Sequence, residues 1–160
     1  MKLVHWMLLG TLLSPVFCPA QTTCPWINAA TATNAPSGSS ISTGQITVAG
    51  NECRFRYQDG GVAYVLRVTV QDIENGNKVM KMKEAECTSK KIALPGIGNE
   101  AVLCGADMRS SLGEQVIGRV RDRIFTVIVS AKTGHNSPTI RKSLCDKAEN
   151  GAEQVAGNLF

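Results

Sequence analysis

The sequence predicts an α+β fold: a curved antiparallel sheet of about six strands in two hairpin-containing halves, with helices packed on one face and a helix at the C-terminus. Three observations lead there. Cys53-Arg54-Phe55-Arg56-Tyr57 alternates strictly between apolar residues and arginines, the period of a half-buried strand. Gly50-Asn51-Glu52 and Gly98-Asn99-Glu100 each precede a strand, and each is followed by a hairpin with a long valine-rich second strand. This weak internal repeat divides the sheet into its halves. After Ser137-Pro138, the residues Ile140, Leu144, Ala148, Val155 and Leu159 recur at near-helical spacing, a stripe suited to packing on a sheet.

Taken in order, residues 1–20 read as a sorting signal. Lys2 supplies the positive start, Leu3 to Leu13 the apolar run, and Ser14-Pro15 its break. Cys18-Pro19-Ala20 then places small residues around a cleavage site before Gln21. The run is about half of the roughly 20 residues a membrane-spanning helix needs, so no transmembrane segment is expected. Lipoprotein anchoring at Cys18 is the less favoured alternative, because Phe17 is bulky where such signals carry a small residue. Residues 21–160 then form one secreted or periplasmic domain.

Thr23-Cys24-Pro25-Trp26 opens a helix running to about Thr33, with Thr23 as cap and Pro25 in the first turn. Trp26 is assigned to the core. Residues 34–44, with Ser37-Gly38-Ser39-Ser40, read as a flexible loop. Gln45 to Val48 is a short strand and Gly50-Asn51 a turn. The strand over residues 53–57 leads through the hairpin turn Asp59-Gly60-Gly61 to a long strand over Val62 to Ile73. Residues 78–91 are charged and suit a surface helix around Val79 and Met82. Leu94 to Ala101 is turn-rich and enters a strand at Val102-Leu103-Cys104. Gln115 to Arg121 and Ile124 to Ser130 make a second hairpin, turning near Arg121-Asp122-Arg123.

Removal of residues 1–20 leaves five cysteines. In an oxidising compartment they read as disulfides before metal ligands, and no C-x-x-C pair is present. Cys24 pairs with Cys53 and Cys87 with Cys104, because each pair spans a short, turn-rich interval. Cys145, in the last helix, is left as a free thiol.

Composition narrows the function classes. The chain has 160 residues, a net charge of +4 and 43% apolar residues, the profile of one globular domain. Only 5% are aromatic and the charge is mild, so a base-stacking or polyanion-wrapping nucleic-acid surface is not expected. Gly96-Ile97-Gly98-Asn99-Glu100-Ala101 fits a loose dinucleotide pattern, yet Pro95 precedes it and a β-prone run follows, so it reads as a turn. His135, in the loop before the last helix, lies in solvent on this reading. One histidine in the mature chain is too few for ordinary zinc chemistry unless carboxylates supply the other ligands, and acid–base work needs it beside a carboxylate or Cys145. Neither a cofactor nor a metal is expected.

The informative pattern is arginine. Of eight, Arg54, Arg56, Arg67, Arg119, Arg121 and Arg123 occupy strand or hairpin positions out of phase with the apolar residues. With neighbouring strands they share one exposed sheet face. Guanidinium forks suit carboxylate, phosphate or sulfate. The sequence therefore points to a non-enzymatic exported module that binds or senses in the cell envelope, with an anionic envelope polymer or a protein as partner. An ordinary charged face, balanced by Glu52, Asp59, Asp72 and Asp122, is the competing account. The alternatives are an envelope enzyme using carboxylates or Cys145, and a structural accessory protein.

Several of these segments carry a resemblance. Cys24-Pro25-Trp26, Cys53-Arg54-Phe55, Gly96 to Ala101, and the R-x-R-D-R-x-F-x-V hairpin over Arg119 to Val127 before a terminal helix together span nearly the whole mature chain. This resembles bacterial secreted proteins and lipoproteins grouped as domains of unknown function in actinobacteria and acidobacteria. The resemblance implies a curved antiparallel sheet with packed helices, similar to PsbP-like folds and to extracellular sensor domains of bacterial Ser/Thr kinases. No catalytic residues come with it. Cys87, Cys104, Cys145 and the poor lipoprotein signal depart from the pattern.

Overall fold

The computed structural model describes residues 23–33, 45–132 and 137–160. The sorting signal, Cys18, the loop over 34–44 and His135 lie outside them. Within them the chain folds as α1 (Ala29–Thr33), β1 (Gln45–Ala49), β2 (Glu52–Asp59), β3 (Val62–Asp72), α2 (Gly76–Glu84), β4 (Ile92–Ala93), β5 (Glu100–Gly105), β6 (Leu112–Val120), β7 (Arg123–Ala131) and α3 (Pro138–Leu159). The sheet has seven strands in the order β1-β2-β3-β7-β6-β5-β4, with every neighbouring pair antiparallel. It is thus one strand larger than the sequence suggests, because Ile92-Ala93 adds a two-residue strand at an edge. The two halves meet where β3 pairs with β7, from Tyr64 opposite Ala131 to Asp72 opposite Arg123.

Local chemistry sets the turns. Gly60 and Gly61 both take positive φ, at 56° and 78°, which is what a two-residue turn between twisted strands needs. Asn28 caps α1, its side-chain Oδ1 accepting from the Thr31 backbone N–H at 2.8 Å. The first helix therefore starts five residues later than expected from Thr23. Asn28 satisfies an amide that would otherwise be orphaned, and Cys24 is held by its cross-link instead.

The expectation that helices share one face does not hold. On one face the alternating positions Phe55, Tyr57, Leu66, Val68, Phe125 and Val127 meet α3 through Leu144, Ala148, Ala152 and Val155 in the main core. Small residues let α3 approach: a Cβ on Gly151 would lie 3.1 Å from Val127 Cγ1. On the other face, Met80 of α2 packs with Ile117, Ile124 and Cys104 in a second, smaller cluster. The helix expected over residues 78–91 ends at Glu84, and its core residue is Met80. Met82 is 62% exposed, since it lies two residues further round the helix.

Each face carries one cross-link. Cys24–Cys53 ties the N-terminal segment to β2 on the α3 face, where Cys53 is fully buried. Cys87–Cys104 ties the chain after α2 to β5 on the other. Both pairs suit an oxidising environment. Among the described residues no helix is long and apolar enough to cross a membrane.

Candidate functional site

The face of β2, β3 and β7 that α3 does not cover is only partly overlain by α2, and it carries the charge. Register fixes what stands beside what. Arg54 of β2 lies directly opposite Arg67 of β3. Arg67 lies opposite Ile128 of β7, which in turn faces Gln115 of β6. Arg56, on the neighbouring rung, is opposite Val65. Like charges directly opposite each other destabilise a strand pair. Glu52 offsets this one: its Oε1 accepts from Arg54 Nη2 at 2.8 Å and lies 3.7 Å from Arg67 Nε. The Nε atoms of Arg54 and Arg67 are buried against the sheet and have no hydrogen-bond partner among the described residues. They are donors that the protein itself leaves unsatisfied.

The six arginines do not form one cluster. Arg54, Arg56 and Arg67 are neighbours. Arg119 shares their face but stands two rungs along and two strands across. It donates through Nε to Glu100 Oε1 at 2.6 Å and packs against Gly76 at the start of α2. Arg123 pairs with Val120 and Asp72, positions on the α3 side, and donates from Nε to Asp72 Oδ1 at 3.0 Å. Arg121 occupies the turn with φ 54°, and its guanidinium lies 5.8 Å over the Phe160 ring at the end of α3. Residues 119, 121 and 123 keep a period of two along the chain, but the hairpin reverses direction between them. The common face assigned to all six is therefore corrected to Arg54, Arg56 and Arg67, with Arg119 apart.

Two shallow depressions lie on this face. One, of about 230 Å³, has Arg54, Arg56 and Arg67 at its rim, with Val65, Ile128 and Met108 among its apolar atoms. The other, of about 200 Å³, is lined by Thr69, Gln71, Thr126 and Gln115, with Glu52 at one side and the Lys83–Glu86 ion pair as wall. Each is smaller than the roughly 300–1,000 Å³ typical of small-molecule sites. The threonines, the glutamines and Lys83 are residues that sequence reasoning did not single out. Thr69 and Thr126 are visible as the polar phase of valine-rich strands, but only the β3–β7 pairing makes them neighbours.

Cys145, the thiol of the enzymatic alternative, lies on the other side of the sheet. Burial of the half-exposed Cys145 thiol, helped by Glu114, Glu149 and Asp146, pushes its pKa up. A nucleophilic thiol is normally held down. Glu114 is buried, and desolvation raises its carboxyl above the usual range, against the lowering effect of Arg141, whose Nε lies 3.5 Å away. Lys147 is buried too, its Nζ donating to Asp59 Oδ2 at 2.9 Å and standing 5.0 Å from the Tyr64 ring centroid. Among the described residues no group of three or more His, Cys, Asp or Glu is placed to hold a metal ion. In comparison with known proteins, no family model, curated protein or solved structure matches this chain.

Proposed function

We propose that the protein is an exported, non-enzymatic module that binds an anionic ligand in the cell envelope through Arg54, Arg56 and Arg67. The observation that carries this reading is the direct opposition of Arg54 and Arg67, two guanidiniums served by a single carboxylate and each with an unsatisfied Nε donor. A fold gains nothing in stability from that arrangement. An oxyanion seated between the two forks offsets the repulsion and accepts from their terminal amino groups, the Nε atoms themselves being buried. The shallow openings suit recognition along a surface more than chemistry in a cleft, and the two cross-links suit a compartment outside the cytosol. Export by the leader with cleavage near Ala20 belongs to the same proposal, as does membership of the secreted family that the chain resembles.

The test is retention on a heparin column at about 0.15 M salt, the physiological ionic strength. Arg54→Ser/Arg56→Ser/Arg67→Ser elutes earlier than the parent protein. Arg119→Ser/Arg121→Ser/Arg123→Ser, an equal loss of formal charge, elutes close to it. Equal retention of all three proteins removes the proposal.

A further inference from the structure

The two depressions share Arg67 and Ile128 and so lie side by side, a trough in two parts across the sheet. Its rungs are explicit. Arg54, Arg67, Ile128 and Gln115 follow one another over β2, β3, β7 and β6. On the adjacent rung Thr69 faces Thr126 directly. Four strands about 4.8 Å apart give the trough a length of about 14 Å. One end is cationic and amphipathic. The other offers hydroxyls and carboxamides, groups that both donate and accept, beside Glu52 and the Lys83–Glu86 ion pair, so the cationic end alone carries an uncompensated charge.

The inventory of the trough selects a ligand. Its guanidinium end calls for an acidic group, and its Thr and Gln end for a partner rich in hydroxyls. The aromatic rings that would stack a base or the apolar face of a neutral sugar are on the opposite side: Phe55, Tyr57, Tyr64 and Phe125 all belong to the α3-side core. Binding here depends on charge and hydrogen bonds without stacking. We infer that the trough takes an acidic oligosaccharide of two to three sugar units, with a carboxylate on Arg54 and Arg67 and ring hydroxyls on Thr69 and Thr126. This inference rests on the anion-binding reading above and deepens it by naming the chemical class.

Calorimetric titration with tetragalacturonate, maltotetraose and tripolyphosphate tests it. Tetragalacturonate binds, maltotetraose does not, and tripolyphosphate binds more weakly. Thr69→Val/Thr126→Val keeps side-chain shape and removes both hydroxyls. It weakens tetragalacturonate by about threefold to tenfold, the effect of one or two lost hydrogen bonds, and leaves tripolyphosphate within about twofold. Arg54→Lys/Arg67→Lys retains charge and loses the fork geometry, and weakens both anions. Melting curves of each variant confirm that it is folded. If tripolyphosphate binds as tightly as tetragalacturonate and the threonine variant changes neither, the saccharide assignment falls and the anion site stands. If maltotetraose binds equally well, or no anion binds, both readings fall.

Discussion

Gly118 and Phe125 are direct partners across the β6–β7 pair, and the phenyl ring lies against the glycine. A Cβ at position 118 would press on the ring tip and lie 2.7 Å from Cε1 and 3.0 Å from Cε2. Phe125 is fully buried in the main core, so the ring has no solvent to swing into. Gly118→Ala therefore overpacks the core and costs about 2–3 kcal/mol, the upper part of the range for forced methyl insertions. For a domain of this size that lowers Tm by about 5–10 °C. The assay is thermal unfolding followed by circular dichroism, with urea melts for the free energy. Phe125→Leu costs stability by itself, but in the double variant the shorter side chain leaves the space that the new methyl needs. The two changes together should cost at least about 1 kcal/mol less than their sum. A single variant melting within about 2 °C of the parent, or a strictly additive double variant, refutes the packing argument.

Three further outcomes are expected. Because burial raises the folded-state pKa of Glu114, the folded protein holds its proton to higher pH than the unfolded chain. The stability this gives is present at acid pH and lost as pH rises above the ordinary carboxylate value of 4.5. Glu114→Gln should flatten that slope in urea melts across the pH range; an unchanged slope places the titration elsewhere. Lys147 is 8% exposed beside Asp59 and two tyrosine rings, so Lys147→Met should be close to neutral in stability. Asp59→Asn should cost about 1 kcal/mol by stranding the ammonium, a modest figure because Asp59 itself reaches water. A loss above about 2 kcal/mol for Lys147→Met contradicts this. Removing either cross-link should cost about 3–4 kcal/mol on loop-closure grounds, from sequence separations of 29 and 17. Cys24→Ser/Cys53→Ser should cost more than Cys87→Ser/Cys104→Ser, since it also frees Ile27 and Trp26 from the main core. Comparison of the two melting temperatures decides the order.

What the sequence makes legible is local. Alternation over Cys53 to Tyr57 and the glycine pair after Asp59 report on a strand and its turn, because each depends on neighbours a few residues away. The stripe on the last helix is legible for the same reason, although Gly151, Ala152 and Lys147 face the sheet without the size or polarity that marks a core residue. The pairing of β3 with β7 is not local, and nothing in either strand names its partner. The face taken by α2 is equally hidden, because Met80 and Met82 are chemically identical and only the crossing direction of the chain decides between them. Arg121 and Arg123 fall outside the shared face because strand phase does not pass through a two-residue turn. In the β6–β7 hairpin, Val120 pairs with Arg123 and Arg119 with Ile124. Counting by twos from Arg119 therefore lands Arg123 on the wrong side.

The β3–β7 pairing bears on the life of the nascent chain. Synthesis delivers β3, eleven residues rich in valine, well before its partner, whose first residue is 51 positions beyond the last of β3. Any fragment ending short of Arg123 presents that strand with a whole row of amides and carbonyls open to neighbouring molecules, a template for aggregation. The first three strands expressed alone should accordingly precipitate, and supplying residues 76–160 as a separate polypeptide should rescue them by closing the row.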